Sequence, residues 1–172
     1  MLACKRYVID SCDLLNVANY PTAGIRLQEI IDPENNFVYV TSQSKYEIEN
    51  LGHNFDGILD NAERNLNAKI HYVEISYVVR ENAKILKCGL NKLHRGDDVI
   101  FAYCVTNKCI LITSDNGLIE CCKKVGCSYI CVQNIMDKLV NKQFSKKSKK
   151  KKQSYYDLVP KKALWDYWGR IA

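Results

Sequence analysis

The sequence has no long hydrophobic run. No window of its 172 residues reaches the roughly 18 apolar residues that a membrane-spanning helix requires. The first residues, MLACKRYVID, contain an apolar run too short for a secretory signal peptide. We therefore expect a soluble intracellular protein, in the cytoplasm or the nucleus, with no membrane partner. A chain of this length forms one domain by default, with a core large enough to fold without disulfides.

Histidine is scarce, and the cysteines lack the spacing of a zinc site. The chain has three His and nine Cys. Cys121, Cys122, Cys127 and Cys131 form neither a CxxC pair nor a set with a suitably spaced histidine, which disfavours zinc. The cysteines lie in apolar segments and their number is odd, so we expect reduced thiols that act as small core residues. The histidines belong to no motif and are expected on the surface or in loops.

Positive charge is scarce outside the carboxyl-terminal part. Residues 1–141 carry 15 Lys and Arg against 17 Asp and Glu, a net charge of −2, whereas residues 142–172 carry 10 against 2, a net charge of +8. The lysine density of residues 142–153, KQFSKKSKKKKQ, predicts a disordered linker after a domain of residues 1–141. Such a linker serves solubility, nuclear import or sequence-independent phosphate contact. The lysines expected to contact nucleic acid are Lys146, Lys147, Lys149, Lys150, Lys151 and Lys152.

The carboxyl-terminal segment, residues 154–172, has an apolar face. The residues at helical spacing are Leu164, Tyr167, Trp168 and Ile171. Pro160 suits the start of this amphipathic helix. Three interpretations stay open: packing on the domain, binding of a protein partner or a second copy, and stacking on RNA bases.

Apolar strand-like runs alternate with helical patterns along residues 1–141. Strands are predicted at RYVID, FVYVT, IHYVEI, KCILITS and CSYICV. Helices are predicted between them, with a break at Pro21 and with Ser42 as the cap of the helix QSKYEIENL. Two of the predicted helices are DDVIFAYCVTN and NGLIECCKKV. This alternation predicts right-handed βαβ units, and hence a three-layer α/β/α sandwich with a mostly parallel central sheet.

Acidic residues follow the predicted strands. Asp10 and Asp115 each end a strand, so both carboxylates are expected at the carboxyl edge of the sheet, where ligands of parallel sheets bind. Asp97 and Asp98 open a helix on a predicted strand-to-helix connection, and Glu47 lies in the helix after FVYVT. Carboxylates in one cleft repel one another unless a cation lies among them, and ligand sets made only of oxygen select Mg²⁺ or Mn²⁺ over zinc.

Three of these acids also have a purely structural interpretation. Asp115 before NGL is typical of a helix cap, and Asp97 and Asp98 are favourable charges at the amino end of a helix. Asp10 differs, because an acid at the end of a buried strand requires a partner. Taken together, the acids favour a metal cluster.

Four motifs occur in an order that is typical of one nuclease family. They are YVIDSCDLLN, VTSQSKYEIENL, GDDVIFAYC and ILITSDNGL. Together they resemble the motifs of PIN domains, which are metal-dependent nucleases with a compact parallel α/β/α sandwich. The resemblance covers residues 5–135, and the segments GDDVI and LITSDNGL are most similar to eukaryotic PIN endoribonucleases of RNA surveillance and ribosome maturation.

The resemblance implies one catalytic acid from each motif. In chain order these acids are Asp10, Glu47, Asp97 and Asp115, with Glu49 as an outside candidate for the second. The metal ligands implied are Asp10, Asp97 and Asp115, with Asp98 as an extra candidate.

Residues beside these acids are expected to support them. Thr113 is expected to orient Asp115. Cys12 stands two residues after the first acid, where the family often has Asn or Ser, so the support of Asp10 departs from the family pattern. Lys92 and Arg95, just before the acidic helix, are candidate phosphate contacts, with a solvated loop as the alternative.

The activity implied is that of a Mg²⁺- or Mn²⁺-dependent endoribonuclease that cuts single-stranded RNA to a 3′-hydroxyl and a 5′-phosphate. A bound metal supplies charge stabilisation and an activated water, so no histidine base is required. Two alternatives stay open. One is a catalytically inactive PIN-like module for RNA binding or scaffolding. The other is a structure-specific DNA nuclease of the flap-endonuclease type, which the lack of an insertion for threading a flap disfavours.

Overall fold

The structure is a computed structural model that describes residues 4–90 and 93–135, apart from the side chain of Cys88. In these residues five strands alternate with helices in the order that the sequence predicts. The strands are β1 (Arg6–Ile9), β2 (Phe37–Thr41), β3 (Ile70–Val73), β4 (Ile110–Ile112) and β5 (Tyr129–Ile130). The helices are α1 (Ser11–Asn19), α2 (Pro21–Ile31), α3 (Ser42–Asn50), α4 (Phe55–Leu66), α5 (Tyr77–Gly89), α6 (Asp97–Asn107) and α7 (Asn116–Val125).

The strands form one parallel sheet in the order β3-β2-β1-β4-β5. The first strand therefore lies between the second and the fourth, and the strand order reverses beside it. Ligands of open parallel sheets bind at such a switch point, outside the carboxyl ends of the strands. Asp10 directly follows β1 and Asp115 follows β4, so the topology sets both at this edge. The predicted sandwich with a parallel sheet is confirmed.

Helices pack against the sheet through apolar side chains. On one face, Val8 of β1 and Leu111 of β4 belong to a buried cluster with Phe101 of α6 and Leu118 of α7. The helices α1, α2 and α4 pack with one another, and α5 packs on α6. The cysteines contribute to the core as predicted. All eight in the described residues with a described side chain are free thiols, and the buried ones are Cys104, Cys109, Cys121 and Cys122.

The start of α3 differs from the prediction by one residue. Thr41, not Ser42, is the N-cap, because its Oγ1 accepts a hydrogen bond from the Ser44 N–H at 3.2 Å. The Ser42 Oγ instead accepts from the Ile75 N–H at 3.1 Å, which ties the chain after β3 to α3. Adjacent hydroxyl residues have the same capping chemistry, and only this distant partner separates their roles.

The connection between β3 and β4 contains two helices. Helix α6 follows α5 rather than a strand, so the predicted strand-to-helix setting of Asp97 and Asp98 is wrong. The helix still begins near the carboxyl edge, since it leads through Lys108 into the amino end of β4.

Residues 136–172 lie outside the described residues. The predicted domain end at 141, the lysine-rich linker 142–153 with its lysines, and the helix within 154–172 therefore stay predictions. Lys92 also lies outside. Among the residues that are described, no helix has both the length and the apolar character needed to cross a membrane.

Candidate active site at the carboxyl edge of the sheet

Asp10 is a buried carboxylate at the centre of this edge. Its side chain is 2% exposed, and its Oδ1 accepts from the Ser11 N–H at 2.7 Å, which caps α1. Its Oδ2 accepts from the Thr113 Oγ1 at 3.2 Å. Burial raises the pKa of Asp10 well above its usual range, and the charges of Asp97, Asp13 and Glu47 raise it further. Asp10 thus shares one electrostatic environment with Asp13 of the helix that it caps and with acids from two other segments.

Glu47 is held by two donors and by a glycine. The Ser11 Oγ donates to its Oε2 at 2.6 Å, and the Gln43 Nε2 donates to its Oε1 at 3.0 Å. Gly96, just before α6, has φ +106, and a Cβ built there would collide with both Glu47 Oε1 and Gln43 Nε2. Gly96 therefore provides the space in which Glu47 lies beside the start of α6.

The two acids that open α6 have different surroundings. Burial, followed by the charges of Asp115 and Glu47, raises the pKa of Asp97 to about 7. Asp98 accepts hydrogen bonds from the start of its own helix, since its Oδ1 accepts from the Gly96 N–H at 2.9 Å and from the Val99 N–H at 3.1 Å. Lys87 lies 3.7 Å from its Oδ2. Asp97 is thus the acid of this pair whose charge is uncompensated by lysine or arginine in the described residues.

Asp115 caps α7, and Thr113 connects it to Asp10. The Asp115 Oδ1 accepts from the Leu118 N–H at 2.7 Å, so the structural interpretation of this residue holds. The Thr113 Oγ1 accepts from the Asp115 N–H at 3.1 Å while donating to Asp10. One buried hydroxyl thus fixes both strand-end acids relative to each other.

Asp13 belongs to the site, although the sequence analysis did not single it out. It is fully buried, and its Oδ1 accepts from the Ser114 Oγ at 2.8 Å and from the Asn16 Nδ2 at 3.3 Å. The Gln133 N–H donates to the same Ser114 Oγ at 3.1 Å. Burial raises the pKa of Asp13 to about 6, and its Oδ2 has no hydrogen-bond partner among the residues that the structure describes. The spacing of three residues from Asp10 was a usable signal, because it sets both on one side of a helix start.

The remaining predicted residues lie around this group. Glu49 forms an exposed ion pair with Lys45 at 3.8 Å and has no contact with the other acids in the described residues. Cys12 is half-buried in α1, and Arg95 is exposed directly before Gly96. No observation tests the roles proposed for these three residues.

The chemistry of the group suits a hard cation, although the side chains are not arranged around one. Asp10, Glu47, Asp97 and Asp115 offer only oxygen, the ligand type of Mg²⁺ and Mn²⁺. Within residues 4–90 and 93–135, none of the four forms an ion pair with Lys or Arg. In the same residues, no three His, Cys, Asp or Glu side chains are placed so that they could hold an ion as they stand. Rotation of carboxylates now bound to Ser11, Thr113 and helix N–H groups would be needed.

Comparison with solved structures identifies the fold. No family model and no curated protein matches the chain. The structure of VapBC2 from Rickettsia felis bound to a DNA fragment from its promoter matches with a TM-score of 0.55 and 13% identity, over 73% of this chain and 98% of that one. A PilT N-terminus domain protein from Sulfolobus solfataricus P2 matches with a TM-score of 0.44 and 15% identity, over 77% and 92%. The first likeness, to a PIN-domain protein, is one of fold, and the chain therefore has the PIN-domain fold.

Proposed function

We propose that the protein is a divalent-metal-dependent endoribonuclease that hydrolyses phosphodiester bonds of single-stranded RNA. One observation carries the proposal: acids from four separate segments share a single electrostatic environment at the switch point of the sheet. The four are Asp10, Glu47, Asp97 and Asp115. Mutual repulsion among these carboxylates costs stability, and carboxylates clustered in this way are typical of sites that bind a cation.

The ligands proposed for Mg²⁺ or Mn²⁺ are Asp10, Asp97 and Asp115, with Asp98 as an extra candidate. When bound, the ion supplies positive charge for the transition state and lowers the pKa of a coordinated water. Asp97 holds a proton for part of the time at neutral pH, since its pKa is about 7. It must release this proton to become a ligand.

The other residues of the edge hold these acids in place. Glu47, fixed by Ser11 and Gln43, is proposed to orient the attacking water. Thr113 fixes the positions of Asp10 and Asp115 relative to each other through its hydrogen bonds to both. This division of roles needs no histidine base, and we propose a 3′-hydroxyl and a 5′-phosphate as the products.

Positive charge outside this edge is proposed to contact the RNA backbone. Arg95 is exposed beside Gly96. The lysines of residues 142–153 would add affinity that depends on salt but not on sequence. The carboxyl-terminal segment, residues 154–172, is proposed to bind a protein partner, a second copy or the domain itself. A chain that ends at residue 141 separates these contributions, with RNA affinity as one readout and oligomeric state as the other.

The deciding experiment incubates the purified full chain with labelled single-stranded RNA or DNA, in Mn²⁺ or in EDTA. Cleavage of RNA that requires Mn²⁺ and disappears in Asp10→Asn and in Asp115→Asn supports the proposal. Asp60→Asn, an exposed acid on α4, is the matched control and should cut like the parent. Preferential cleavage of DNA would favour the DNA-nuclease alternative. Binding of RNA without cleavage, together with no Mn²⁺ binding by calorimetry, would favour the inactive module.

A further inference from the structure

One face of the sheet is open at the amino ends of β2 and β3. Residues that pair in register point to the same face of a sheet, and successive residues alternate between faces. Arg6 pairs with Phe37, and Tyr39 pairs with His71. These four side chains therefore lie on one face, and we name them the aromatic sheet surface.

Three of these side chains are exposed, whereas Tyr39 is half-buried against the core cluster and the opposite face of the same strands is buried. Phe37 is 47% exposed, and His71 and Arg6 are also exposed. Val38 and Ile70, which point the other way, are each 1% exposed. Parallel sheets are usually covered on both faces, so rings left open at this position are unusual.

The rings of this surface form a continuous group. The ring centroids of Phe37 and His71 are 5.6 Å apart, and those of Tyr39 and His71 are 5.7 Å apart. Those of Phe37 and Tyr39 are 6.3 Å apart. Each ring is thus in contact with the other two, and the exposed part of Phe37 is available for stacking.

Uncompensated positive charge borders the rings. Arg6 is the register partner of Phe37 and lies on this surface, whereas Lys5, whose carbonyl accepts from the Phe37 N–H at 3.0 Å, points to the opposite face by the same alternation. Both basic side chains are exposed. Neither forms an ion pair with an acid in the part of the chain that the structure describes. Phosphate groups would supply the missing negative charge.

We propose that the aromatic sheet surface binds a single strand of RNA, with bases stacked on Phe37 and His71 and phosphates against Arg6. Exposed aromatic side chains on a sheet, bordered by cations, are a recurrent means of binding unpaired bases. The inference rests on the proposed function, since it assigns this surface to the RNA that the carboxyl edge cuts.

The two places are separated by the length of β1. At about 3.3 Å per residue of strand, Asp10 lies about 13 Å from Arg6. Val8, between them, is buried in the core cluster with Phe101 of α6, so an RNA strand must pass around this helix and needs more than about four nucleotides at a stacked spacing of about 3.4 Å. A bound strand would therefore be held several nucleotides from the bond that is cut.

The first test measures fluorescence anisotropy of a short labelled single-stranded RNA with the full chain in EDTA, where no cleavage occurs. Phe37→Ala should weaken binding about tenfold, the size expected for loss of one stacked base. Phe37→Trp should bind like the parent. Tyr77→Ala is the matched control, because Tyr77 is 75% exposed on α5, and it should also bind like the parent. Arg6→Ala should lower the slope of log affinity against log salt by about one.

A second measurement locates the contact directly. Photocrosslinking of RNA that contains thiouridine, followed by mass spectrometry, should give crosslinks to the peptide of Phe37 or to that of His71. Parent-like affinity of Phe37→Ala with no crosslink at either peptide would overturn the inference. A protein occupant of this surface would give that same result.

The outcomes separate this inference from the proposed function. If the parent cuts RNA but Phe37→Ala binds and cuts unchanged, the surface is wrong and the nuclease stands. If the parent never cuts but Phe37→Ala loses RNA affinity, the nuclease is wrong and the surface stands.

Discussion

The two ends of the parallel sheet depart from ordinary side-chain placement in opposite ways. At the carboxyl edge, Asp10 and Asp13 are carboxylates withdrawn from water. At the amino end, Phe37 and His71 are rings left in water. Burying a charge and exposing an apolar ring both cost free energy. We propose that a ligand offsets each cost, a cation at the carboxyl edge and RNA bases at the amino end.

The comparison also separates chemistry from affinity. Acids that repel one another raise their own pKa values and bind a cation better than they bind RNA, which is itself negative. Rings and unpaired cations attract RNA but offer no means of cutting it. Substitutions at the carboxyl edge should therefore affect cleavage, and substitutions at the amino end should affect RNA affinity.

Asp10→Asn should give the largest effect. Cleavage should fall about 10³-fold, because the variant loses a carboxylate proposed to hold the metal. A metal stabilises the charge of the transition state by several kcal/mol. Thermal stability should stay equal or rise, since a buried charge is removed. RNA affinity in EDTA should be unchanged, because the aromatic sheet surface is intact. Single-turnover cleavage, thermal unfolding and anisotropy measure the three quantities, and parent-like cleavage would remove the carboxyl edge as the cutting site.

Ser114→Ala should give the next largest effect. It removes the hydroxyl that donates to Asp13 and accepts from the Gln133 N–H. The segment just before Asp115 therefore loses two hydrogen bonds that hold it in place. Loss of such supporting contacts typically lowers metal affinity about 10- to 100-fold, and we expect this loss for Mn²⁺ by calorimetry. Ser114→Thr keeps the hydroxyl and should retain most of the affinity. Equal Mn²⁺ affinity in the alanine variant would restrict Asp13 to a structural role.

Gly96→Ala and Gly52→Ala form a matched pair. Both residues have positive φ, +106 and +81, so both variants should lose about 1 kcal/mol of unfolding free energy. A Cβ meets nothing within 4 Å at Gly52, whereas at Gly96 it collides with Glu47 and Gln43. The colliding atoms at Gly96 are the ends of flexible side chains that can move at little cost, so Gly96→Ala should match Gly52→Ala in stability but lose about tenfold in cleavage through displacement of Glu47. Chemical denaturation and initial rates measure the two quantities, and equal cleavage by the two variants would mean that the position of Glu47 does not depend on this glycine.

The metal-free protein should become less stable as pH rises from 5 to 8. The pKa of Asp97 is raised from 3.8 to about 7 on folding. A raised pKa gives stability that is fully present below pH 4 and is lost as pH rises through 7. The loss should be about 2 kcal/mol. Thermal unfolding in EDTA should show the loss, and Mn²⁺ should reverse it at pH 8. Asp97→Asn should reduce the loss without abolishing it, because the pKa values of Asp10 and Asp13 are raised as well. A melting temperature that rises over this range would contradict the assignment.

Phe37→Ala should have the smallest effect on stability. Half of its ring is already in water, so the variant should lose less than about 1 kcal/mol, as exposed substitutions usually do. Phe101→Ala, which empties the buried cluster, should lose about 3–5 kcal/mol. Chemical denaturation compares the two. A large loss in Phe37→Ala would make the aromatic sheet surface a structural element instead of a binding surface.

Much of the fold was predictable, because its signals are local. Helices α6 and α7 have the bounds that DDVIFAYCVTN and NGLIECCKKV predict. Each helix ends before a residue in the left-handed conformation, Lys108 after α6 and Gly126 after α7. The edge on which Asp10 and Asp115 lie followed from parallel topology alone. Ser42 as a cap was wrong, because its neighbour has the same chemistry and the choice depends on a bond to Ile75.

The sequence by itself determined the alternation of strands and helices, the parallel sheet and the acids at its carboxyl edge. These properties follow from the period of the apolar residues and from which residue ends each strand. Only the tertiary structure decided that Ser114 meets Asp13 and that Thr113 joins Asp10 to Asp115. It also decided that the rings of Phe37 and His71 are left uncovered. Contacts between residues about a hundred positions apart depend on strand order and helix packing, which no local pattern contains.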